Sequence, residues 1–200
     1  SLTRDTYSYT DTAIALHSTG GVYQYYQEAG WRYQKGHMRY LLFAPIQYSW
    51  LAHGHDTQQQ HRIALAGAIT RNMMGNRLVA SAQLRAEQVN TTFVWLPGAG
   101  LSYSLMPWLQ LRANGQRTYR VPTLNELYYF PGGNPRLRPE QGWTQDAGYT
   151  LQLQDKNWYF QHEGTVFNRQ MKDWIMWLGG AVWTPHNIAA VHSRGTETNS

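Results

Sequence analysis

Three closely spaced histidines give this sequence an arrangement that could bind a metal ion. His53, His55 and His61 fall in "HGHDTQQQH", and imidazole nitrogens are common ligands of transition metals. No carboxylate spacing or supporting residue completes such a site, so a solvated polar loop is the favoured interpretation and no metal is expected. The sequence also lacks a phosphate-binding loop, a dinucleotide fingerprint and a nucleophile elbow. We therefore expect no cofactor.

The segment "RVPTLNELYYFPGGNPRLRPE", residues 120–140, is suited to recognition instead. Its prolines and paired glycines break any regular pattern, and an irregular segment of about twenty residues inside a compact domain is usually functional. Aromatic planes supply contact area at little entropic cost, and arginine supplies positive charge for an anionic ligand. The candidate ligand-binding residues, from this segment and a later aromatic one, are Tyr128, Tyr129, Phe130, Arg136, Trp177 and Trp183.

Composition narrows the class of protein. Only 14% of the 200 residues are charged, 14% are aromatic, and the net charge of +5 is spread along the chain. No basic stripe therefore indicates a nucleic-acid partner. The absence of cysteine excludes disulfides and thiolate metal sites. No apolar run reaches the length of a membrane-spanning helix, so the pattern along the chain has to identify the fold.

Alternation of apolar and polar residues is the strongest structural signal. In "HRIALAGAIT" and "LVASAQLRAEQ" every second residue is apolar or small, as in β-strands. The turns "NMMG", "MPW" and "QDKN" each allow a hairpin whose apolar rows share one face, which predicts an antiparallel meander. The predicted opposite pairs are Ile69 with Leu78, Leu101 with Ala113, and Leu153 with Trp158.

We predict an all-β fold of about ten long strands, at residues 7–16, 21–33, 38–50, 61–71, 78–89, 97–106, 108–119, 139–153, 157–170 and 188–199. Short turns alternate with long loops at 53–60, 90–98, 120–138 and 177–189, so the long loops share one end. Long strands with one apolar and one polar face are typical of an outer-membrane barrel. The alternative is a soluble β-sandwich, such as a carbohydrate-binding module with aromatic loops, whose strands would be about five or six residues long.

In a barrel the two faces of each strand meet lipid and lumen. The predicted lipid-facing residues are Leu65, Leu84, Leu111, Tyr149 and Phe160. The predicted lumen row is polar: Gln83, Arg85, Glu87, Gln110, Arg112, Asn114, Gln116, Gln145, Asp146, Glu163 and Arg169. Asp146 and Glu163 of this row could form a carboxylate couple for glycoside cleavage, and a barrel enzyme working through Glu163 is a third hypothesis. Beside arginines they are more simply a charge network, so no catalytic residue is predicted.

Four blocks of the second half carry a family resemblance. "YRVPTLNELYY" followed by "GNPRLRPE" resembles paired segments of TonB-dependent outer-membrane receptors, nearest to the cobalamin and ferric-siderophore branch. "GTVFNRQMKDWI" and "WTPHNIAAVHSRGTE" resemble two later blocks, in family order. Residues 1–119 agree with the family in strand pattern only. Within the first two blocks we expect these residues to hold the loop rather than bind ligand: Arg120, Pro122, Asn125, Glu126, Gly133, Asn134, Pro135 and Glu140.

The resemblance implies an active-transport receptor of the bacterial outer membrane. Members of that family have a 22-stranded barrel around an N-terminal plug, so residues 1–200 would be a partial barrel without the plug and without the first and last strands. The implied partners are a scarce, large nutrient (cobalamin, a ferric siderophore or similar), membrane lipid and an inner-membrane energy-coupling protein reached through the missing N-terminal region. A surface lipoprotein is a further partner that this resemblance leaves open. No enzymatic activity is expected.

Overall fold

The described residues form a single antiparallel sheet with one short helix. The computed structural model describes residues 2–11, 16–53 and 56–200, and the side chains of residues 3, 21–52 and 57–200. The elements are β1 Leu2–Asp11, β2 Leu16–Lys35, β3 Met38–His53, β4 Asp56–Met73, β5 Leu78–Val89, β6 Thr92–Met106, β7 Leu109–Arg120, α1 Leu124–Tyr128, β8 Glu140–Asp155, β9 Trp158–Leu178 and β10 Thr184–Asn199. Each strand pairs with the next in sequence, which confirms the predicted ten-stranded meander.

The sheet has one layer, and its apolar face is uncovered. The residues predicted to face lipid are between 38% and 53% exposed: Leu65, Leu84, Leu111, Tyr149 and Phe160. A sandwich would bury this row against a second sheet, so the sandwich interpretation is wrong. The strands run from 10 to 21 residues, a length suited to crossing a bilayer at a tilt. Within the described residues, no helix is long and apolar enough to span a membrane.

The three predicted hairpins form, but only some of their residues pair with the partner that the sequence predicted. Leu101 pairs with Ala113, as predicted, and a bulge beyond Ser104 then places Met106 opposite Leu109. Ile69 pairs with Ala82 and not with Leu78, because β4 continues to Met73 before turning. The turn can lie there because Met74, Gly75 and Asn76 adopt the left-handed conformation.

The β8–β9 register is also shifted. Asp155 pairs with Trp158 across the two-residue turn Lys156-Asn157, so Leu153 faces Phe160 and not Trp158. The Asp155 carboxylate accepts the backbone N–H of Lys156 at 2.8 Å, which stabilises the tighter turn. The shifts in the β4–β5 and β8–β9 hairpins move a residue's partner by four and two positions, both even, so the predicted faces of these strands are preserved.

The predicted loops at 53–60 and 90–98 are wrong, because most of both segments is strand. β4 already begins at Asp56, and β5 and β6 are joined by Asn90-Thr91 alone. Asn90 has a left-handed φ of 50°, and its side chain accepts the backbone N–H of His61 at 2.9 Å. The long connection of this end is therefore residues 121–139, with 179–183 beside it between β9 and β10.

The polar face is tied together by hydrogen bonds between strands. Gln83 donates to Gln116 at 3.2 Å, and Asn114 donates to Asp146 at 2.9 Å. Glu87, with no exposed side-chain surface, pairs with both Arg62 and Arg85.

One residue of the predicted lumen row belongs to the opposite face. Gln145 precedes the inward Asp146 and accepts a hydrogen bond from Asn168 at 3.1 Å on the outward face. Strand alternation puts Gln145 with Trp143 and Ala147, so its placement in the lumen row is corrected.

Candidate ligand-binding site

The insert, residues 121–139, is closed at its base by a buried carboxylate. Arg120 and Glu140 are opposite residues at the ends of β7 and β8. The guanidinium donates from Nε to Oε2 at 2.8 Å and from Nη2 to Oε1 at 2.7 Å, which is a bidentate pair. Glu140 is 5% exposed and also accepts the backbone N–H of Ile175 at 2.8 Å. The base of the insert is thus joined to β9 as well as closed.

The first part of the insert folds into α1 because its sequence contains a capping box. Thr123 accepts the backbone N–H of Glu126 at 3.1 Å, and Glu126 accepts the backbone N–H of Thr123 at 2.8 Å. Arg120 Nη1 reaches the same Glu126 carboxylate at 3.0 Å. Asn125 is exposed and takes part through its carbonyl, which accepts from the N–H of Tyr129 at 2.9 Å. One arginine therefore links the strand ends to the cap of the helix.

The helix folds back over the polar face and does not project away from it. α1 lies against β3 and β4, two strands far from β7 in the sheet order. Gln60 of β4 donates to the carbonyl of Pro122 at 3.1 Å. Leu124 is the buried residue of α1, and Leu51 of β3 is only 1% exposed. The insert consequently spans the polar face of the sheet from β7 and β8 to β3 and β4.

The second part of the insert packs on the β9–β10 connection at Gly132 and on the end of α1 at Gly133. A Cβ on Gly132 would lie 2.0 Å from the backbone oxygen of Trp183, and one on Gly133 would lie 2.6 Å from the backbone nitrogen of Tyr129. Asn134 donates from its side chain to the carbonyl of Pro185 at 2.9 Å, and its backbone N–H reaches the carbonyl of Glu126 at 2.9 Å. Only glycine permits these backbone approaches.

A clamp that sequence reasoning missed fixes the end of the insert. Arg138 donates from Nη2 to Asp173 Oδ1 at 2.6 Å, and its backbone N–H donates to Asn187 Oδ1 at 2.8 Å. Asn187 Nδ2 returns a bond to the carbonyl of Arg138 at 2.9 Å. Asp173 has a left-handed φ of 57°, which aspartate tolerates better than most residues. The only sequence signal was an aspartate and an asparagine inside the two later family-like blocks.

The structure brings several of the candidate aromatic residues together. The rings of Tyr129 and Trp177 meet edge to face with centroids 6.2 Å apart. Phe130 is 44% exposed and Trp183 is 62% exposed, so both present large apolar surfaces. Arg136 is exposed, and its backbone N–H donates to the Asn134 side chain at 3.0 Å. Tyr128, at the end of α1, is half-buried.

Two other aromatic residues expected in loops at this end lie elsewhere. Phe93 and Trp95 are in β6, where their rings meet edge to face with centroids 5.0 Å apart. They share the outward parity of Leu101, so they extend the apolar face of the sheet instead of facing the insert.

The weaker candidate sites gain little support. The side chains of His53 and His55 lie outside the described residues, and the ring of His61 packs on Tyr48 with centroids 4.6 Å apart. Among the side chains that are described, no group of three or more His, Asp or Glu residues could hold a metal ion. Asp146 is engaged by Asn114, and Glu163 accepts from Gln161 at 2.9 Å.

Comparison with known proteins identifies relatives of this chain. The family described as TonB dependent receptor-like, beta-barrel matches residues 2–200. The vitamin B12 transporter BtuB of Vibrio vulnificus (strain YJ016) is 27% identical over 139 residues, which are 66% of this chain and 22% of that transporter. The same transporter of Photobacterium profundum is 24% identical over 102 residues, which are 48% of this chain and 16% of the relative.

Solved structures agree with this match in fold. A variant of the ferric enterobactin receptor PfeA from Pseudomonas aeruginosa superposes on 98% of this chain with a TM-score of 0.77 and 15% identity. The siderophore receptor PirA, also from Pseudomonas aeruginosa, covers 91% with a TM-score of 0.74 and 16% identity. In each case this chain spans 37% of the solved chain.

Proposed function

Because this chain belongs to the TonB-dependent receptor family and forms part of an outer-membrane β-barrel, we propose that the protein is an active-transport receptor for a scarce, large nutrient. The nutrient is cobalamin, a ferric siderophore or a compound of similar size, in line with the names of the relatives. In this proposal energy comes from an inner-membrane coupling protein, and the barrel catalyses no reaction. The hydrogen bonds that engage Asp146 and Glu163 support transport over hydrolysis.

The observation that carries this proposal is the joint surface of the insert and the β9–β10 connection. A large ligand needs wide, rigid apolar contacts, and aromatic anchors provide most of the binding energy at such surfaces. Phe130 and Trp183 are exposed on two segments that the Gly132 contact joins, and the half-buried rings of Tyr129 and Trp177 contact each other across the same two parts of the chain. In a barrel this end, with the long connection, faces the outside of the cell.

We assign ligand contact to Tyr128, Tyr129, Phe130, Trp177, Trp183 and Arg136. The motif residues have the other role and hold the insert: Arg120, Pro122, Asn125, Glu126, Gly133, Asn134, Pro135 and Glu140. The bidentate pair at the base, the capping box and the Asn134 bonds support this division.

A titration of the full-length receptor in detergent tests the proposal. Cyanocobalamin and ferric enterobactin are each titrated into the wild type and into the double variant Phe130→Ala with Trp183→Ala. We expect one of the two to bind the wild type and to bind the double variant at least about tenfold more weakly, since each anchor contributes about 1 kcal/mol or more. Trp158→Ala is the matched control, because that indole is 52% exposed at the opposite, short-turn end.

Two results would contradict the proposal at different points. If the double variant binds as tightly as the wild type, the insert is structural and the ligand binds elsewhere in the receptor. If neither compound binds the wild type, the proposed substrate class is wrong.

A further inference from the structure

A groove lies on the outward face of the sheet, away from the insert. Arg117, Trp143, Gln170 and His192 stand opposite one another across β7, β8, β9 and β10. All four line a groove of about 510 Å³. The groove is therefore built by strand residues of β7 to β10 and not by a loop.

A second row adjoins the first on the same face. Gln141 lies two residues before Trp143 on β8, and its partner Lys172 lies two residues after Gln170 on β9. Both also line the groove. Trp143 shares its parity with Ala147 and Tyr149, and Tyr149 is one of the exposed residues of the lipid-facing set. In a barrel the groove would thus face the membrane, in the half nearer the long connections.

The groove carries positive charge where the outward face was expected to be apolar. Arg117 and Lys172 line it, and Arg194 lies on the same face one row further. None of the ion pairs found in the described part of the chain includes Arg117, Lys172 or Arg194. Their charge is consequently not neutralised by a neighbouring carboxylate.

The hydrogen bonds of the groove's side chains go to uncharged partners. Arg117 donates to the carbonyl of Trp95 at 3.1 Å and to the amide oxygen of Gln141 at 3.1 Å, both uncharged acceptors. The His192 ring hydrogen-bonds the Asn168 side-chain oxygen at 2.6 Å, and Asn168 donates to Gln145 at 3.1 Å. This polar chain crosses three strands on a face that otherwise meets hydrocarbon.

The apolar face resumes immediately beyond this chain. On β7, β8 and β9 the next row along the strands is Ala113, Ala147 and Val166, all apolar, and it continues on β10 with Thr196. Trp143, 47% exposed, lies in the groove row itself, next to the polar chain, and aromatic residues of this kind are enriched at membrane interfaces. The groove therefore has the chemistry of a headgroup site set directly above an acyl-chain surface.

We propose that this groove binds the phosphorylated headgroup of a lipid in the outer leaflet of the outer membrane. Arg117 and Lys172 pair with phosphate oxygens, Gln141 and Gln170 donate hydrogen bonds to the headgroup, and the acyl chains lie along the apolar rows. Guanidinium and ammonium groups are the usual partners of phosphate. The lipid is a fixed partner of the barrel wall, separate from the transported nutrient.

Native mass spectrometry of the full-length receptor tests this proposal. The probe is bisphosphorylated lipid A, with phosphatidylcholine as the lipid of no net charge. Arg117→Gln with Lys172→Gln should weaken lipid A binding roughly 30-fold, because each cation near a membrane surface contributes about fivefold to binding an anionic lipid. Phosphatidylcholine binding should not change. Arg77→Gln with Lys156→Gln removes the same charge from the short turns and should leave lipid A binding as in the wild type.

The outcomes separate a lipid site from nonspecific charge attraction and from a small-anion site. A change below about twofold in the groove variant would overturn the proposal. So would equal weakening in the control variant, which would indicate nonspecific attraction. Displacement of lipid A by millimolar inorganic phosphate would also overturn it, because the groove would then be a small-anion site. Retention of the heat-resistant folded barrel in both variants shows that a loss of binding is not a loss of fold.

Discussion

Replacing Arg120 with alanine should destabilise the insert by an amount that follows from burial. Removing one partner of a fully buried ion pair costs about 3–5 kcal/mol, because the other charge stays buried without compensation. An exposed pair is worth about 0–1 kcal/mol. Here the Glu140 side chain is 6% exposed but that of Arg120 is 42% exposed, so water replaces part of the lost partner. We expect the free energy of unfolding to fall by about 2–3 kcal/mol.

The assay is urea unfolding of the full-length receptor in micelles, together with hydrogen exchange of residues 121–139. Arg138→Ala is the matched control, because that arginine also pairs with a carboxylate but its side chain is 69% exposed. It should lower the free energy of unfolding by about 1 kcal/mol or less. Adding Glu140→Gln to Arg120→Ala should restore more than half of the loss, since it removes the unpaired buried charge.

The reasoning would be refuted by either of two results. Arg120→Ala could destabilise no more than Arg138→Ala, which would mean that burial of Glu140 does not control the energy. Alternatively, the loss of unfolding free energy in the double variant could equal the sum of the losses in Arg120→Ala and Glu140→Gln. Glu140 would then contribute through its hydrogen bond to Ile175 and not through charge.

Two further predictions concern the faces of the sheet and the packing of the insert. Leu84→Arg should lower the free energy of unfolding by about 2–4 kcal/mol, because it puts a charge on the lipid face, whereas Gln83→Arg on the polar face should change it by less than about 1 kcal/mol. Urea titration of the two variant receptors compares these losses directly. Equal losses would contradict the assignment of faces. Gly132→Ala should loosen the insert, since the new methyl would lie 2.0 Å from a backbone oxygen, while Gly180→Ala meets its nearest atom at 3.8 Å and serves as control. Faster hydrogen exchange at 121–139 in the first variant alone is expected, and similar exchange in both would show that the close approach relaxes freely.

The sequence predicted the fold because strand alternation is a local signal. Leu65, Leu84 and Leu111 could be placed on one face from spacing alone, and the structure leaves all three exposed on a single-layered sheet. Register was harder to predict, because it depends on turn conformation. The β4–β5 hairpin turns later than predicted because Met74, which carries no turn signature of its own, adopts a left-handed φ of 51°.

The site was predictable in its parts but not in its arrangement. The capping box at Thr123 and Glu126 is a short-range pattern, and the pairing of Arg120 with Glu140 follows from the strand ends. The Arg138–Asp173 clamp joins residues 35 positions apart across a connection whose path no local pattern determines. Gln145 was assigned to the lumen because polar residues were taken to face inward, whereas this one lies on the outward, mostly apolar face.

The docking of α1 on β3 and β4 has an evolutionary consequence. Most of this fold is a chain of nearest neighbours, in which one hairpin can change without affecting a distant one. The bond from Gln60 to the Pro122 carbonyl, across 62 positions of sequence, joins the insert to strands that are not its neighbours. A lineage that acquires a new insert to recognise a new compound must therefore also alter the surface around Leu51 and Gln60. Substitutions in the insert and in β3 and β4 should therefore covary among related receptors. An insert transplanted into another receptor should bind its ligand only together with its original β3 and β4.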